Sequence, residues 1–243
     1  MELLTSLFEL AQTYWPQFLR GLWLTVQLTV LSCLLGFVFA IPLALARLSR
    51  HWLISGMATV YSVCFRGSPL LVQLFLIYYG LPSALLQLYG GDVPAMRASI
   101  FWPLLDSPFS LALIAFTLNT GAYMAEPIRG GILAVPNGER EAALACGMSR
   151  ALLIRRILLP RGLRIAIPAL SNETILTMKA TSLVSLVTML DLMGAAGRAF
   201  TQTYDSSVYL VLVPFYLVLI WAVARIFGGL EKRYNRYLVR RAV

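Results

Sequence analysis

Five runs of this 243-residue chain, approximately 22 to 46, 54 to 81, 108 to 133, 165 to 190 and 207 to 228, are predominantly apolar over bilayer length. A helix needs about 20 such residues to cross the hydrocarbon layer, where every backbone N–H and C=O must be satisfied inside the protein. The expected fold is therefore all-α: a polytopic membrane protein with five transmembrane helices. Composition agrees, with 59% hydrophobic residues, 13% charged and a mean hydropathy of +0.76, outside the range of soluble domains. The first run follows Glu2 and Glu9 rather than a basic stretch and is about twice as long as a signal-peptide core. It is expected to stay as an anchor.

The formal charge of +9 has to be read by position before it implies a partner. If the spans alternate, Arg47, Arg50, Arg140, Arg150, Arg155, Arg156, Arg161, Arg164, Arg225, Lys232, Arg233, Arg236, Arg240 and Arg241 fall on one side. They make up fourteen of the 20 basic residues, against Arg20, Arg97 and Arg198 on the other side. Basic residues concentrate in cytoplasmic loops, so the N-terminus is expected in the periplasm and the C-terminus in the cytoplasm. The charge is topological and calls for no nucleic acid. Cys33, Cys64 and Cys146 form no CxxC pair and His51 is the one histidine, so neither a disulfide framework nor a metal centre is indicated.

Smaller features fill in the outline. Residues 5 to 20 are amphipathic and read either as a helix along the outer interface or as a loosely ordered tail. Gly36, Ala40 and Ala44 repeat every four residues, a stripe that lets another helix approach closely. Pro42 predicts a bend in the first span, and the connection 82 to 107 has room for a short helix. Tyr78, Tyr79 and Trp102 read as interfacial anchors.

One cytoplasmic stretch breaks the apolar pattern: "EREAALACGMSRALLIRRILLP", residues 139 to 160. Pro136 and Asn137 suit a helix start, Glu139 and Glu141 favour its positive end, and Ala142 to Ala145 are strong helix formers. Gly147 is placed to end that helix in a left-handed conformation, and Ser149 to cap a second helix running to Pro160. The result is a stiff elbow. The small side chains of Ala142 and Ala143, the anchors Leu152, Leu153, Ile157 and Leu158, and the polar Arg155 and Arg156 suit docking in a partner's groove. A cytoplasmic interfacial loop without a partner is the other reading.

The order Glu141-Ala142-Ala143, Gly147 after three intervening residues, then Ile157 and Leu159-Pro160 resembles the "EAA" loop of permease subunits of bacterial ABC importers. The resemblance implies that Glu141, Ala142, Ala143, Gly147, Ile157 and Pro160 couple the chain to an ATPase subunit. It further implies a type I ABC importer permease fold in the bacterial inner membrane. The whole chain, 1–243, would be a single transmembrane permease domain with a helical core at 22–228 and the coupling elbow at 139–160. The implied partners are a second permease subunit, identical or related, two ABC ATPase subunits, a periplasmic or lipid-anchored solute-binding protein, and membrane lipid. No cofactor is expected in this chain; ATP and Mg belong to the ATPase. Consistent with that, no GxxxxGK[ST] loop is present, and neither Lys179 nor Lys232 is preceded by Gly.

The segments "FRGSPLLVQLFLIYYGLP" (65 to 82), "FTLNTGAYMAEPIRGGI" (116 to 132) and "LRIAIPALSNETILTMKATSLVSL" (163 to 186) are similar to the branch that imports polar amino acids. The nearest kinds handle histidine, lysine, arginine and ornithine, or opines. Ser68, where the branch usually has Thr, and Pro127 depart from its pattern.

Five charged residues lie at membrane depth: Arg66, Glu126, Arg129, Glu173 and Lys179. Each costs about 2.5–3.5 kcal/mol near a helix centre, so lipid exposure of all five is not tolerable. Asn119, Tyr123 and Glu126 fall within about 60° on one face of the third span. Glu126 and Arg129 are also spaced to pair with each other. In the fourth span Asn172, Leu176 and Lys179 share a face, while Glu173 lies about 100° away and needs another partner. A cavity with a carboxylate, amides and hydroxyls suits an amino-acid zwitterion, so Asn119, Tyr123, Glu126 and Glu173 are candidate substrate ligands. Interhelical hydrogen bonds use the same residue types, and both readings stand. Lys179, Thr181 and Ser182, in "KATSL", resemble a family segment beside the transport path and join the candidates. Arg66, before Gly67 and Pro69, reads as a gate or packing charge where the second span should break.

Two other classes fit less well. A membrane-embedded enzyme using Glu126 or Glu173 as acid or base lacks a His or Cys cluster, a GxSxG and metal ligands. A passive channel leaves the elbow without a purpose.

Overall fold

A computed structural model describes residues 2–235, with side chains from 7 to 234. Arg236, Arg240 and Arg241, part of the basic cluster that orients the chain, lie outside the described residues. Within them the chain is helical, with no strand.

The first helix, α1 (Glu2–Arg47), is one element of 46 residues that continues through Pro16 and Pro42. At 1.5 Å per residue it is roughly 70 Å long, more than twice the ~30 Å hydrocarbon core. Its N-terminal part does not lie along an interface as a separate segment. Phe18 is fully buried, and Leu7, Leu10, Ala11 and Tyr14 pack with it against α11 (Leu192–Thr203) and α12 (Val208–Asn235). The amphipathic pattern reports that protein contact. Farther along, Gly36, Ala40 and Ala44 are buried against α7 (Pro108–Leu133). A Cβ on Gly36 would stand 3.0 Å from Thr120, and one on Gly121 2.6 Å from the Phe39 ring. The small residues set the helix separation.

The second span, expected at 54 to 81, is broken, and the segment there long and apolar enough to cross a bilayer is Leu70–Leu88. The helix α2 (Trp52–Gly67) stops at Ser68-Pro69, and α3 (Leu70–Phe75) restarts the path. A wide π turn, Leu76–Gly80, leads into α4 (Leu81–Leu88). The short helices α5 (Val93–Arg97) and α6 (Trp102–Leu105) then occupy the predicted connection, with Asp92 capping α5 by accepting the Ala95 N–H at 3.1 Å.

After α7 come α8 (Asn137–Ala145) and α9 (Arg150–Leu153), the two arms of the elbow. Gly147 sits at φ +78°, the Met148 N–H reaches the Ala143 carbonyl, and the Ser149 side chain accepts the Leu152 N–H. The second arm does not end at Pro160. A π turn, Ile154–Leu158, carries it into α10 (Leu159–Ala180) as one rod. Proline lacks an N–H, and its ring crowds the carbonyl four residues earlier; a single wide turn moves that carbonyl aside. The Leu159 N–H accordingly donates to the Ile154 carbonyl, five residues back, and Leu81, just before Pro82, donates to Leu76 in the same way.

A 3-10 stretch, Thr181–Val187, ends at Thr188, whose φ is +63°, and the path bends by 47° into α11. That bend is fastened to α1. Gly21 lets the Asp191 backbone press against the helix, Thr25 accepts the Leu192 N–H at 3.2 Å, and the Asp191 carboxylate caps Gly194 at 2.9 Å. Among the described residues four helical segments are long and apolar enough to cross a bilayer, and the bent pair brings the number to five.

Candidate functional site

The break between α2 and α3 frees backbone carbonyls, and polar side chains satisfy them. Gln73 donates to Phe65 O at 2.7 Å, Ser68 O at 3.1 Å and Ser68 Oγ at 2.8 Å. Asn119 on α7 donates to the Gln73 side-chain oxygen at 2.9 Å and to Phe65 O at 3.3 Å. Tyr123, one turn on, donates to Arg66 O at 3.1 Å, and Tyr61 to Leu118 O at 2.8 Å. Inside a bilayer, broken helices are tolerated only where protein groups or a water-lined cavity take up the freed backbone.

A cavity lies beside the break. It has a volume of about 260 Å³ and is bounded by Ser68, Pro69 and Leu70, by Phe116, Asn119, Thr120 and Tyr123 of α7, and by Glu173, Leu176, Thr177 and Ala180 of α10. Thr120 and Thr177 meet across it with their hydroxyls 3.3 Å apart. Glu173 is half-buried and makes neither an ion pair nor a hydrogen bond among the described residues. The wall thus offers one uncompensated carboxylate, an amide, a phenol and hydroxyls.

Glu126 is held elsewhere. Arg129 grips Oε1, with Nε at 3.1 Å, Arg47 contacts Oε2, and Arg66 approaches Oε2 at 3.3 Å. Three guanidiniums surround one carboxylate, leaving a net +2 at the elbow end of the bundle. Pairing of Glu126 with Arg129 is one of the two sequence readings; the partner Arg47, 79 residues away, is not among them. The structure brings Asn119, Tyr123 and Glu173 together at the cavity and separates Glu126 from it. Lys179 is exposed on α10, Thr181 is buried with its hydroxyl on Met178 O at 2.7 Å, and Ser182 bonds Lys179 O at 2.9 Å. None of these three borders the cavity. Ser68, Gln73, Thr120 and Thr177 escape the sequence reading as site residues. The signal for Gln73 is present: a lone amide in the apolar run "PLLVQLFLIYY" at membrane depth needs a partner.

At the elbow, Glu141, Ala142 and Gly147 are exposed, while Ala143 is buried and Ile157 and Pro160 are partly buried. Ala143, Leu153 and Leu158 join the chain's own core with Met124, Ile128 and Ile132, so these anchors hold the elbow onto the bundle. Arg140 donates to Ile132 O at 2.7 Å, and Arg161 reaches Glu139 at 2.5 Å. Just beneath, α7 and α10 touch backbone to backbone at Gly131 and Gly162.

Known proteins are similar to this chain in sequence and in fold. The family model described as binding-protein-dependent transport system inner membrane component matches residues 33–236. The octopine transport system permease protein OccM of Rhizobium meliloti is 42% identical over 214 residues, covering 88% of this chain and 84% of its own. The histidine/lysine/arginine/ornithine transport system permease protein HisM of Escherichia coli (strain K12) is 33% identical over 240 residues, with 96% and 98% covered. A crystal structure of an amino acid ABC transporter superposes with a TM-score of 0.75 at 32% identity, covering 91% of this chain and 95% of that one. The MetNI methionine ABC transporter, at 19% identity and a TM-score of 0.71 with 90% and 96% covered, shares the fold.

Proposed function

From the premise that the chain belongs to the binding-protein-dependent transport system inner membrane components, and is the non-catalytic permease subunit of an ABC importer for amino acids or opines, we propose a substrate class and a mechanism. The substrate carries a cationic group: a basic amino acid or a related compound. The observation that carries this reading is Glu173, a carboxylate at membrane depth on a cavity wall with no cation paired to it among the described residues. Such a charge costs about 2.5–3.5 kcal/mol unless it is solvated or paired, and a substrate ammonium or guanidinium is the missing partner. Asn119, Tyr123, Ser68 and Thr177 supply the polar groups that replace substrate water.

The chain sits in the inner membrane. Its N-terminus faces the periplasm and its C-terminus the cytoplasm, as the segregated arginines support. A second permease, two ATPase subunits and a solute-binding protein complete the complex, with ATP and Mg held by the ATPases. Their closure pushes the elbow through its exposed Glu141, Ala142 and Gly147. The push passes along α10 and opens the cavity alternately to each side.

Glu173→Gln tests the reading in the reconstituted complex. Uptake of lysine or arginine falls about tenfold or more, as loss of a charge-assisted contact requires, while the ATPase still co-purifies. Unchanged uptake kinetics would remove Glu173 from the site.

A further inference from the structure

One residue of the arginine cluster stands next to the cavity wall. Arg66 lies in the last turn of α2, two residues before Ser68 on the cavity wall, and its guanidinium carbon stands 5.7 Å over the ring of Tyr123, another wall residue. It is also the loosest member of the cluster. Its contact to Glu126 is a single one at 3.3 Å, and its side chain is 39% exposed, against 15% for Arg47 and 29% for Arg129. Glu126 keeps two guanidiniums without it. At Gly67, the next residue, a Cβ would meet no atom within 4 Å, so there is room on that side of the chain. Glu173 stands on the same cavity wall as Tyr123.

We propose that Arg66 is the anion pole of the cavity: its guanidinium leaves Glu126 to take the α-carboxylate of the bound amino acid while Glu173 takes the cationic group. A carboxylate matches the planar guanidinium fork and neutralises part of the cluster's excess positive charge. Occupancy thereby removes one of the three ties on Glu126 and loosens the arginine lock between cavity and elbow. This deepens the proposed function and rests on it.

The test is equilibrium binding of radiolabelled L-arginine and L-argininamide to the detergent-purified permease–ATPase complex without its binding protein. At about pH 6 both α-amines are protonated, so the two ligands differ at the carboxylate. The wild type binds arginine about tenfold or more tightly than the amide, the range of a charge-assisted pair. Arg66→Gln brings the two within about twofold, chiefly by losing arginine and sparing the amide, and Arg66→Lys restores part of the preference. An undiminished preference in Arg66→Gln overturns the assignment alone, as does equal loss of both ligands, which makes Arg66 structural. Failure of the wild type to bind arginine removes the substrate reading and this inference with it.

Discussion

Replacing Gly162 by alanine tests the contact from which the elbow springs. A Cβ there would stand 2.7 Å from Cγ1, 2.8 Å from N and 2.9 Å from Cα of Ile132, and two of those three atoms are backbone that cannot rotate away. Ordinary contact begins at 3.4 Å, so the main-chain atoms must retreat by about 0.6 Å, and α7 and α10 must part by that much. Overpacking of this kind costs about 1–3 kcal/mol. At roughly 2–4 °C per kcal/mol for a chain of this size, the unfolding midpoint in detergent drops by about 2 to 12 °C. Gly130→Ala is the matched control: it lies on α7 beside Gly131, nothing stands within 4 Å of its Cβ, and replacing an exposed helical glycine gains up to about 1 kcal/mol. Thermal unfolding of the purified complex, read beside uptake per ATP hydrolysed, separates the two. Equal midpoints for Gly162→Ala and Gly130→Ala would refute the backbone clamp.

Gly147→Val forces a β-branched residue to φ +78° and breaks the bond from Met148 to Ala143; it costs about 1–2 kcal/mol locally and uncouples ATP hydrolysis from uptake without preventing insertion. Coupled uptake at the wild-type ratio would count against the elbow's role. Single cysteines at Arg97→Cys and Arg150→Cys, in a chain with Cys33, Cys64 and Cys146 replaced, react with impermeant reagents from opposite faces of the membrane. Labelling from one face would overturn five crossings.

Local features are legible in the sequence because local rules govern them. The left-handed Gly147, the Ser149 cap and the break after Arg66 come from glycine, serine and proline acting within a few residues of themselves. Gly36, Ala40 and Ala44 are legible because small side chains at one spacing have one use in a bilayer. Contacts between distant segments are not. Nothing near Phe18 announces that α11 and α12 return to cover it, and nothing near Glu126 announces Arg47. Pro160 misleads for a different reason. The stop it signals is a probability over helices, and a single π turn overrides it where apolar residues on both sides bury into one core. For the site, Asn119, Tyr123 and Glu173 can be picked out by type and depth. Whether each faces the cavity or an ion cluster depends on helix rotations that no single segment encodes.

From Arg150 to Ala180 one continuous rod runs from the elbow to the cavity, about 45 Å at 1.5 Å per residue. In the proposed mechanism it resembles a key cut at both ends, one bit for the motor and one for the cargo. The extra residue in the wide turn before Pro160 fixes the angle between the bits, since each residue gained or lost in a helix rotates the remainder of the shaft by about 100°. Moving that proline would re-index the two ends without recutting either.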